Sequence, residues 1–456
     1  MSGQKEILSP FRLALILIIL AVVIISGAWL RLASVRQTTV TYPLWGDSRE
    51  YYAYAYNLRH KAAFSLEEKN PYVSPEPVKP DAIRWPGYPV FLMPFASGAP
   101  SDLALENIYR AQAVLSTLTV LAAFLFFLSF LPLLWAACAA LLVAFSPHLL
   151  SLINYVLSET LFCFALVCMA MAAALFFNKS TRKRAVGLGV CMGLATLIRP
   201  SLIFFPCVAA LFLFFNKKPP ARARNTLALL AGFALILAPW ILRNAAVCGG
   251  FSQDRLAVNF LHHGMYPDVM YANRPETFAA PYLFDPRSPE ISKSLVSVTR
   301  EIGSRFLREP GTYMEWYLLK KPLYLWAWKE IQGRDVFIYA VSKTPYDNSA
   351  VFRGLYRLMH ALHGPLVFLC FLGCVLAWIP RLFPDSGGAA PRVAQFASLV
   401  VIYYILFHVA GFPLPRYSVP LRPFQYGMAM YALHVLAHHL IRARREKTSQ
   451  KTCASF

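Results

Sequence analysis

Long apolar runs recur along this chain and constrain its fold more than any other feature. The first, Phe11 to Leu30, is long enough to cross about 30 Å of hydrocarbon as a helix. Hydrophobic residues make up 57% of the 456 residues and charged residues only 15%, which is more apolar than soluble domains are. The pattern predicts an all-α polytopic membrane protein with about ten transmembrane helices. The further runs lie at 107–130, 132–150, 156–177, 185–199, 200–215, 226–242, 358–380, 393–410 and 420–441.

The distribution of positive charge predicts the orientation of these helices. The chain carries 44 Lys and Arg against 23 Asp and Glu, a net charge of +21, and three basic segments fall on one side of the predicted spans. Because cytoplasmic loops are enriched in Lys and Arg, that side is assigned to the cytoplasm, with the chain in a bacterial inner membrane. The large loops 31–106 and 243–357 are then extracytoplasmic, and nucleic acid is not needed to explain the charge. The three segments contain Lys179, Arg182, Lys183 and Arg184; Lys217, Lys218, Arg222 and Arg224; and Arg442, Arg444 and Arg445.

This layout divides the chain into three regions. Residues 1–242 are predicted to form an N-terminal transmembrane module that includes the first loop, 243–357 an extracytoplasmic subdomain, and 358–456 the C-terminal helices with a basic cytoplasmic tail. Within the second loop, the apolar spacing of residues 291–307 predicts an amphipathic helix at the surface. The nine cysteines lie mostly inside apolar runs, which favours apolar packing over disulfides or a cysteine metal site.

Three acidic residues lie at the predicted outer boundary of the membrane. Asp47 and Glu50 belong to the segment WGDSREYY just past the first helix, and Glu159 begins the fourth span at its outer end. Acids at this depth usually have a partner or a function, and Asp47 lies where a general base would be wanted for a substrate carried by a lipid. Simpler roles stay open. Asp47 can cap a helix, which is slightly favoured on this segment alone, and Glu50 and Glu159 can complement a helix dipole.

Four arginines are predicted on the outer side, where the positive-inside rule disfavours them. Arg84 precedes the segment WPGYP, Arg199 divides the fifth and sixth spans, Arg243 follows the seventh, and Arg416 lies in the last outer loop. An anionic lipid phosphate is an economical partner, because a guanidinium binds phosphate bidentately, and this role is favoured more for Arg243 than for Arg199. Snorkelling or headgroup contact at an interface turn is the alternative for each.

The order of these motifs resembles the GT-C glycosyltransferases, in the branch that contains the protein O-mannosyltransferases and the lipid A aminoarabinose transferase (glycosyltransferase families 39 and 83). The resemblance extends over most of the chain. Relatives carry an Asp-Glu pair in the first loop, whereas Ser48 follows Asp47 here, so the second acid's role would pass to Glu50 or Glu159. The matching motifs are Asp47, Arg84 to Pro89, Ser158-Glu159, Gly193 to Thr196 with Arg199-Pro200, Pro239-Trp240 with Arg243-Asn244, and Pro415 to Tyr417.

The resemblance implies a GT-C-like bundle that transfers a hexose or pentose, with inversion, from a polyprenyl-phosphate donor to an extracytoplasmic glycolipid, glycan or protein. Asp47 would be the general base, with Glu159 and Glu50 as alternatives. No cofactor is implied, and a divalent metal is not indicated because no His or acid cluster has convincing ligand spacing. Predicted phosphate ligands are Arg243, Arg84, Arg199 and Arg416, and predicted substrate contacts are Tyr88, Tyr51 and Trp85, for which an interfacial aromatic belt is the simpler explanation.

Two other classes of function fit part of this pattern. A flippase or transporter of lipid-linked oligosaccharide would also place arginines and Glu159 near the membrane, and a polymerase or ligase of surface polysaccharide would use pyrophosphate-linked glycans. Transporters often contain inverted repeats with helices broken near the membrane midplane. No such repeat is evident here, and the charges cluster at one face. The sequence therefore favours the transferase but leaves the sugar, the acceptor and the oligomeric state undetermined.

Overall fold

The apolar runs form helices, and the predicted all-α class is confirmed. The computed structural model describes residues 10–67, 77–215, 221–249, 254–332, 339–383 and 388–453. The predicted basic residues Lys217 and Lys218 lie outside the described residues, as do the side chains of Arg444 and Arg445. The N-terminal helices that form the bundle are α1 (Pro10–Gln37), α4 (Asp102–Phe127), α5 (Leu133–Phe145), the short α6 (Pro147–Leu152), α7 (Glu159–Asn178), α8 (Arg182–Ile198), α9 (Phe205–Phe215) and α10 (Ala221–Cys248).

The C-terminal part of the bundle contains α17 (Ala350–Leu376), α18 (Ala390–Ala410) and α20 (Arg422–Cys453). Within the described residues, six helices are long and apolar enough to cross a membrane, so the chain is a multi-pass membrane protein. The count of ten spans stays a prediction, because α5 and the stretch 200–215 are shorter apolar segments. Prolines explain both interruptions: Pro147 follows the end of α5, and Pro200 follows the end of α8.

The first large loop is folded against the bundle. It contains β1 (Thr39–Val40), α2 (Asp47–Lys61) and α3 (Gly87–Leu92), and α2 packs against α3. Acids in the first turn of α2 and bases in its last turn both complement the helix dipole. Strand β1 pairs antiparallel with β2 (Val341–Lys343), which ties the first loop to the end of the second.

The second large loop is also helical. Its elements are α11 (Asp254–Gly264), α12 (Ser288–Ile291), α13 (Leu295–Arg308), α14 (Pro310–Glu315), α15 (Lys321–Leu325) and α16 (Pro345–Asn348), with a π-helical turn over Trp316–Lys320. The amphipathic helix predicted at 291–307 is present as α13, which buries Val298 against Val258 and Tyr266. The bundle helices reach farther into this loop than predicted, because polar residues continue α10 to Cys248 and an amphipathic turn begins α17 at Ala350.

Glycines bring α8 and α10 into backbone contact along their length. A Cβ atom at Gly189 would lie 2.0 Å from the carbonyl oxygen of Leu229, and one at Gly232 would lie 2.3 Å from that of Val186. Small residues of this kind allow close helix packing in membranes, where burial of apolar side chains supplies little driving force. The two helices run in the same direction, so the residues that follow α8 and the last turns of α10 lie at the same end of the bundle.

Candidate active site

The first turn of α2 presents Asp47 without using its side chain as a cap. Gly46 is the N-cap residue, with a φ of 52° that glycine adopts readily, and no side chain makes a capping hydrogen bond there. Both carboxylate oxygens of Asp47 instead accept hydrogen bonds from arginines of distant segments. The capping role considered for Asp47 is therefore wrong.

Arg84 joins the two acids of α2. Its Nη2 atom donates to Asp47 Oδ1 at 2.6 Å, and its Nε atom donates to Glu50 Oε2 at 2.5 Å. The glycine in the following WPGYP segment explains how Arg84 is positioned: a Cβ atom at Gly87 would lie 2.8 Å from the Cα atom of Ile198, so α3 lies directly on the end of α8. Arg84 therefore lies in a largely buried ion pair and not in contact with lipid headgroups, which was the alternative considered from the sequence.

Arg416 connects α2 to the start of α7. This residue lies in the short helix α19 (Pro415–Ser418) between α18 and α20. Its Nη2 atom donates to Asp47 Oδ2 at 2.8 Å, and its Nε atom lies 3.1 Å from Glu159 Oε1. The side chain is only 13% exposed, so Arg416 is part of the interior and not simply an interface turn.

Arg199 pairs with the same oxygen of Glu159 as Arg416 does. Its Nη2 atom donates to Glu159 Oε1 at 2.7 Å, and its Nε atom donates to Ser158 Oγ at 3.0 Å. The Glu159 side chain is 1% exposed, yet its second oxygen, Oε2, is buried with no hydrogen-bond partner among the residues that the structure describes. Glu159 therefore does more than complement the dipole of α7, because one of its carboxylate oxygens pairs with two guanidiniums.

These contacts define an ion-pair cluster of Asp47, Glu50, Glu159, Arg84, Arg199 and Arg416, in which three carboxylates face three guanidiniums. Burial alone would raise the pKa of the Asp47 carboxyl, but the neighbouring Arg84 and Arg416 outweigh burial and hold this pKa well below its usual range. Asp47 is thus ionised while both arginines are in place. The cluster lies where α7 begins and α8 ends, which is the opposite end of these helices from the basic turn at 179–184.

The aromatic candidates occupy different positions. Tyr51 is mostly buried, and the Arg84 guanidinium carbon lies over the Tyr51 ring, 5.3 Å from the ring centroid. Tyr88 is fully buried, packs edge-on against Tyr51 and donates its hydroxyl to Gln112 at 3.1 Å, so it supports the cluster from the protein core. Trp85 packs into a separate aromatic group with Phe64 and Trp240.

Two residues that contact the cluster were not among the predicted site residues. Ser158 is buried and accepts from Arg199, and the Tyr417 ring lies beneath both Arg199 and Arg416, at 5.3 and 5.8 Å from their guanidinium carbons. Tyr417 also stacks on the buried His408 at 5.0 Å. Adjacency to Glu159 and Arg416 in the sequence was the available signal for both residues.

Arg243 is not brought into contact with the three carboxylates in the described part of the chain. It donates to the carbonyl oxygens of Asp81 and Phe64, and its guanidinium lies over the rings of Phe64 and Trp240. Tyr54 donates to the Asp81 carboxylate in the same region. These contacts fasten the stretch before Arg84 to the end of α10, so Arg243 supports the cluster through the backbone.

Arg243→Ala is therefore expected to lower the free energy of unfolding by roughly 2 kcal/mol, because two backbone carbonyls lose a charged donor. Arg243→Lys should recover part of this, since an ammonium reaches one carbonyl but cannot serve both with a planar fork. Thermal unfolding and donor binding are measured on the same purified samples. Reduced donor affinity at unchanged stability would instead make Arg243 the phosphate ligand that the sequence predicts.

No group of three or more His, Cys, Asp or Glu side chains that could hold a metal ion occurs among the described residues. Each acid of the ion-pair cluster is paired with at least one arginine, whose N–H groups are suited to binding anions.

Comparison with solved structures shows which known proteins share this architecture. The archaeal oligosaccharyltransferase AglB from Archaeoglobus fulgidus, in complex with an inhibitory peptide and a dolichol-phosphate, matches with a TM-score of 0.53 and 15% identity over 97% of this chain and 52% of that chain. The apo form of the Archaeoglobus fulgidus oligosaccharyltransferase matches with a TM-score of 0.54 and 15% identity over the same shares of the two chains. This chain has the GT-C fold. The predicted resemblance is confirmed at the level of the fold.

The chain spans about half the length of the solved oligosaccharyltransferases. A looser match, with a TM-score of 0.46 and 12% identity over 93% of this chain and 60% of that chain, is to ArnT from Cupriavidus metallidurans bound to undecaprenyl phosphate. No protein-family model and no curated protein matches the sequence.

Proposed function

We propose that this protein transfers a sugar from a polyprenyl-phosphate-linked donor to an acceptor at the extracytoplasmic face of the membrane. The ion-pair cluster carries the proposal, because it combines carboxylates that can accept a proton with guanidiniums that can hold a phosphate. AglB was solved in complex with a dolichol-phosphate, and a lipid phosphate of this kind supports the assignment of the donor class. The basic turn at the other end of α7 and α8 supports the orientation.

The arginines are assigned to the donor phosphate. Arg416 is the central ligand, because it contacts acids of both α2 and α7, and Arg84 and Arg199 flank it. A phosphate that enters the cluster competes with the carboxylates for the same N–H groups. Charge-assisted bonds from a guanidinium to phosphate are of the same kind as those to carboxylate, and both are strong in a site shielded from water, so a phosphate can replace a carboxylate as the partner.

The base is assigned to Asp47. Its side chain is 29% exposed, whereas that of Glu159 is 1% exposed, so an acceptor hydroxyl reaches Asp47 more easily. The arginines keep the pKa of Asp47 low. When the donor phosphate takes over part of their charge, this pKa rises towards its ordinary value, and the carboxylate becomes a stronger base. Proton abstraction is thereby linked to the presence of the donor.

The transfer step follows from these two assignments. The acceptor oxygen attacks the anomeric carbon on the side opposite the phosphate, so a new carbon–oxygen bond forms while the bond from carbon to the phosphate oxygen breaks. The acceptor proton passes to Asp47, and the lipid phosphate leaves with its added negative charge held by the arginines. A single displacement of this kind inverts the anomeric centre.

The test is a transfer assay with the purified protein in nanodiscs. Sugars linked to polyprenyl monophosphate and to polyprenyl pyrophosphate are offered with a mixture of glycolipid, glycan and peptide acceptors, and products are identified by mass spectrometry. Inverted product from the monophosphate donor is expected. Product from the pyrophosphate donor alone would assign the chain to a polymerase or ligase. Movement of the intact donor across the bilayer of sealed proteoliposomes, without any product in the nanodisc assay, would make it a flippase.

A further inference from the structure

A second buried cluster is centred on Arg422, the first residue of α20. Arg422 is 1% exposed. One terminal nitrogen, Nη1, donates to Gln425 Oε1 at 2.7 Å and lies 3.3 Å from His363 Nδ1, and the other, Nη2, lies 3.4 Å from His148 Nε2. No acid pairs with Arg422 in the described part of the chain. A buried guanidinium is costly unless a counter-charge or a full set of oxygen acceptors satisfies it.

Arg31 shows how this fold satisfies a buried arginine without an acid. It is fully buried between α1, α4 and α5, and each of its nitrogens donates to oxygen: Nε to Ser116 Oγ at 2.8 Å, and the terminal nitrogens to the carbonyls of Gly27, Ala144 and Val143. Among the described residues, Arg422 has one oxygen acceptor, and its Nε atom is buried there without a partner. The two arginines therefore differ in how completely the protein satisfies them.

The surroundings of Arg422 contain unused donors. The Gln425 side-chain amide nitrogen and the indole nitrogens of Trp326 and Trp328 are all buried without an acceptor among the described residues. These groups belong to one cluster, because the Trp326 ring lies 5.6 Å from the Arg422 guanidinium carbon and the Trp328 ring lies 4.6 Å from that of His148. A buried donor left unpaired loses its hydration in folding without a replacement acceptor, so several such donors in one place point to a missing acceptor.

The two histidines add no negative charge. The nitrogens that face Arg422, His148 Nε2 and His363 Nδ1, act as acceptors for its N–H groups, and His363 Nε2 then donates to the Trp326 carbonyl at 2.6 Å. This network assigns the neutral form to both rings. The cluster as a whole carries one positive charge and an excess of donors.

We propose that the Arg422 cluster, comprising Arg422, Gln425, His148, His363, Trp326 and Trp328, binds a phosphate group. A phosphate supplies several acceptor oxygens together with the missing negative charge, whereas buried water would satisfy donors without neutralising the arginine. The cluster is one contact from the surface, since Trp328 packs at 5.2 Å against His360, an exposed residue of α17. The phosphate comes from a lipid headgroup or from a free phosphate ester.

The test measures binding of two probes, inorganic phosphate and dihexanoyl phosphatidic acid, to the purified full chain by calorimetry. Arg422→Gln removes the charge and is expected to lower affinity by about tenfold or more. Trp328→Phe keeps the ring, removes one donor, and is expected to lower affinity by about threefold; it serves as the informative variant if Arg422→Gln does not fold. Arg31→Gln, which alters a buried arginine already satisfied by oxygens, is the matched control and should retain wild-type affinity.

Arg199→Gln separates this site from the ion-pair cluster. Binding that persists in Arg199→Gln and is weakened in Arg422→Gln supports the proposal. Binding of both probes then indicates a site for free phosphate, and binding of phosphatidic acid alone indicates a site for a lipid headgroup. Any of three results would overturn the proposal: wild-type affinity in both Arg422→Gln and Trp328→Phe, loss of binding confined to Arg199→Gln, or binding of neither probe by the wild type. The result is independent of whether the chain transfers sugar.

Discussion

Asp47→Asn is expected to lower single-turnover sugar transfer by about a hundredfold to ten-thousandfold, because an amide cannot accept the acceptor's proton. Stability should fall by only about 1 kcal/mol, since the amide keeps an acceptor oxygen for Arg84 or Arg416. Donor binding should remain, because the three guanidiniums are unchanged. The measurement is single-turnover transfer in nanodiscs, with thermal unfolding recorded on the same preparation.

Glu50→Gln is the matched control for this variant. Glu50 lies on the same helix turn, pairs with the same Arg84 and is exposed to a similar extent, 32% against 29% for Asp47, so its loss reproduces the electrostatic change without removing the proposed base. Near-wild-type transfer by Asp47→Asn would refute the assignment of the base. A collapse confined to Glu159→Gln would move the base to α7, where Glu159 Oε2, which has no partner within the described part of the chain, would be the accepting oxygen.

Glu159→Ala is expected to lower the free energy of unfolding by about 3 to 5 kcal/mol, because it leaves the buried ends of Arg199 and Arg416 without their shared carboxylate oxygen. Glu159→Gln should cost less, since it retains an acceptor. The measurement is thermal or denaturant unfolding of purified protein, with donor binding as a second readout.

A double-mutant cycle tests whether the cost comes from the ion pair. Arg199→Gln combined with Glu159→Gln removes one charge of each sign, so the pair should be less destabilising than the sum of the single changes. Glu106→Ala provides the contrast: its pair with Arg110 is exposed on α4, with side chains 48% and 58% accessible, and should contribute less than about 1 kcal/mol. Equal losses for Glu159→Ala and Glu106→Ala would show that the buried pair has no special role.

Much of the candidate site could be predicted from the sequence. Asp47, Arg84, Glu159, Arg199 and Arg416 all stand out in the sequence, because charged residues at the predicted outer ends of apolar runs are unusual enough to need a reason. Arg243 was assigned to the same phosphate site because it also lies at the predicted outer end of an apolar run. Its position in the structure shows the limit of that reasoning, since topology predicts the end of the bundle at which an arginine lies but not the group that it faces.

The sequence by itself determined that this protein is a helical membrane protein, that α13 is amphipathic, and at which end of the helices the charges lie. These properties depend on apolar run length, residue periodicity and charge asymmetry, which act over one turn or one span. Only the tertiary structure decided that Asp47 of α2, Glu159 of α7 and Arg416 of α19 meet within hydrogen-bond distance. The same is true of Arg243, which donates to loop carbonyls, and of Arg422, which has no acid partner among the described residues. Those outcomes depend on glycine contacts such as Gly87 on Ile198, which bring segments that are far apart in the sequence together.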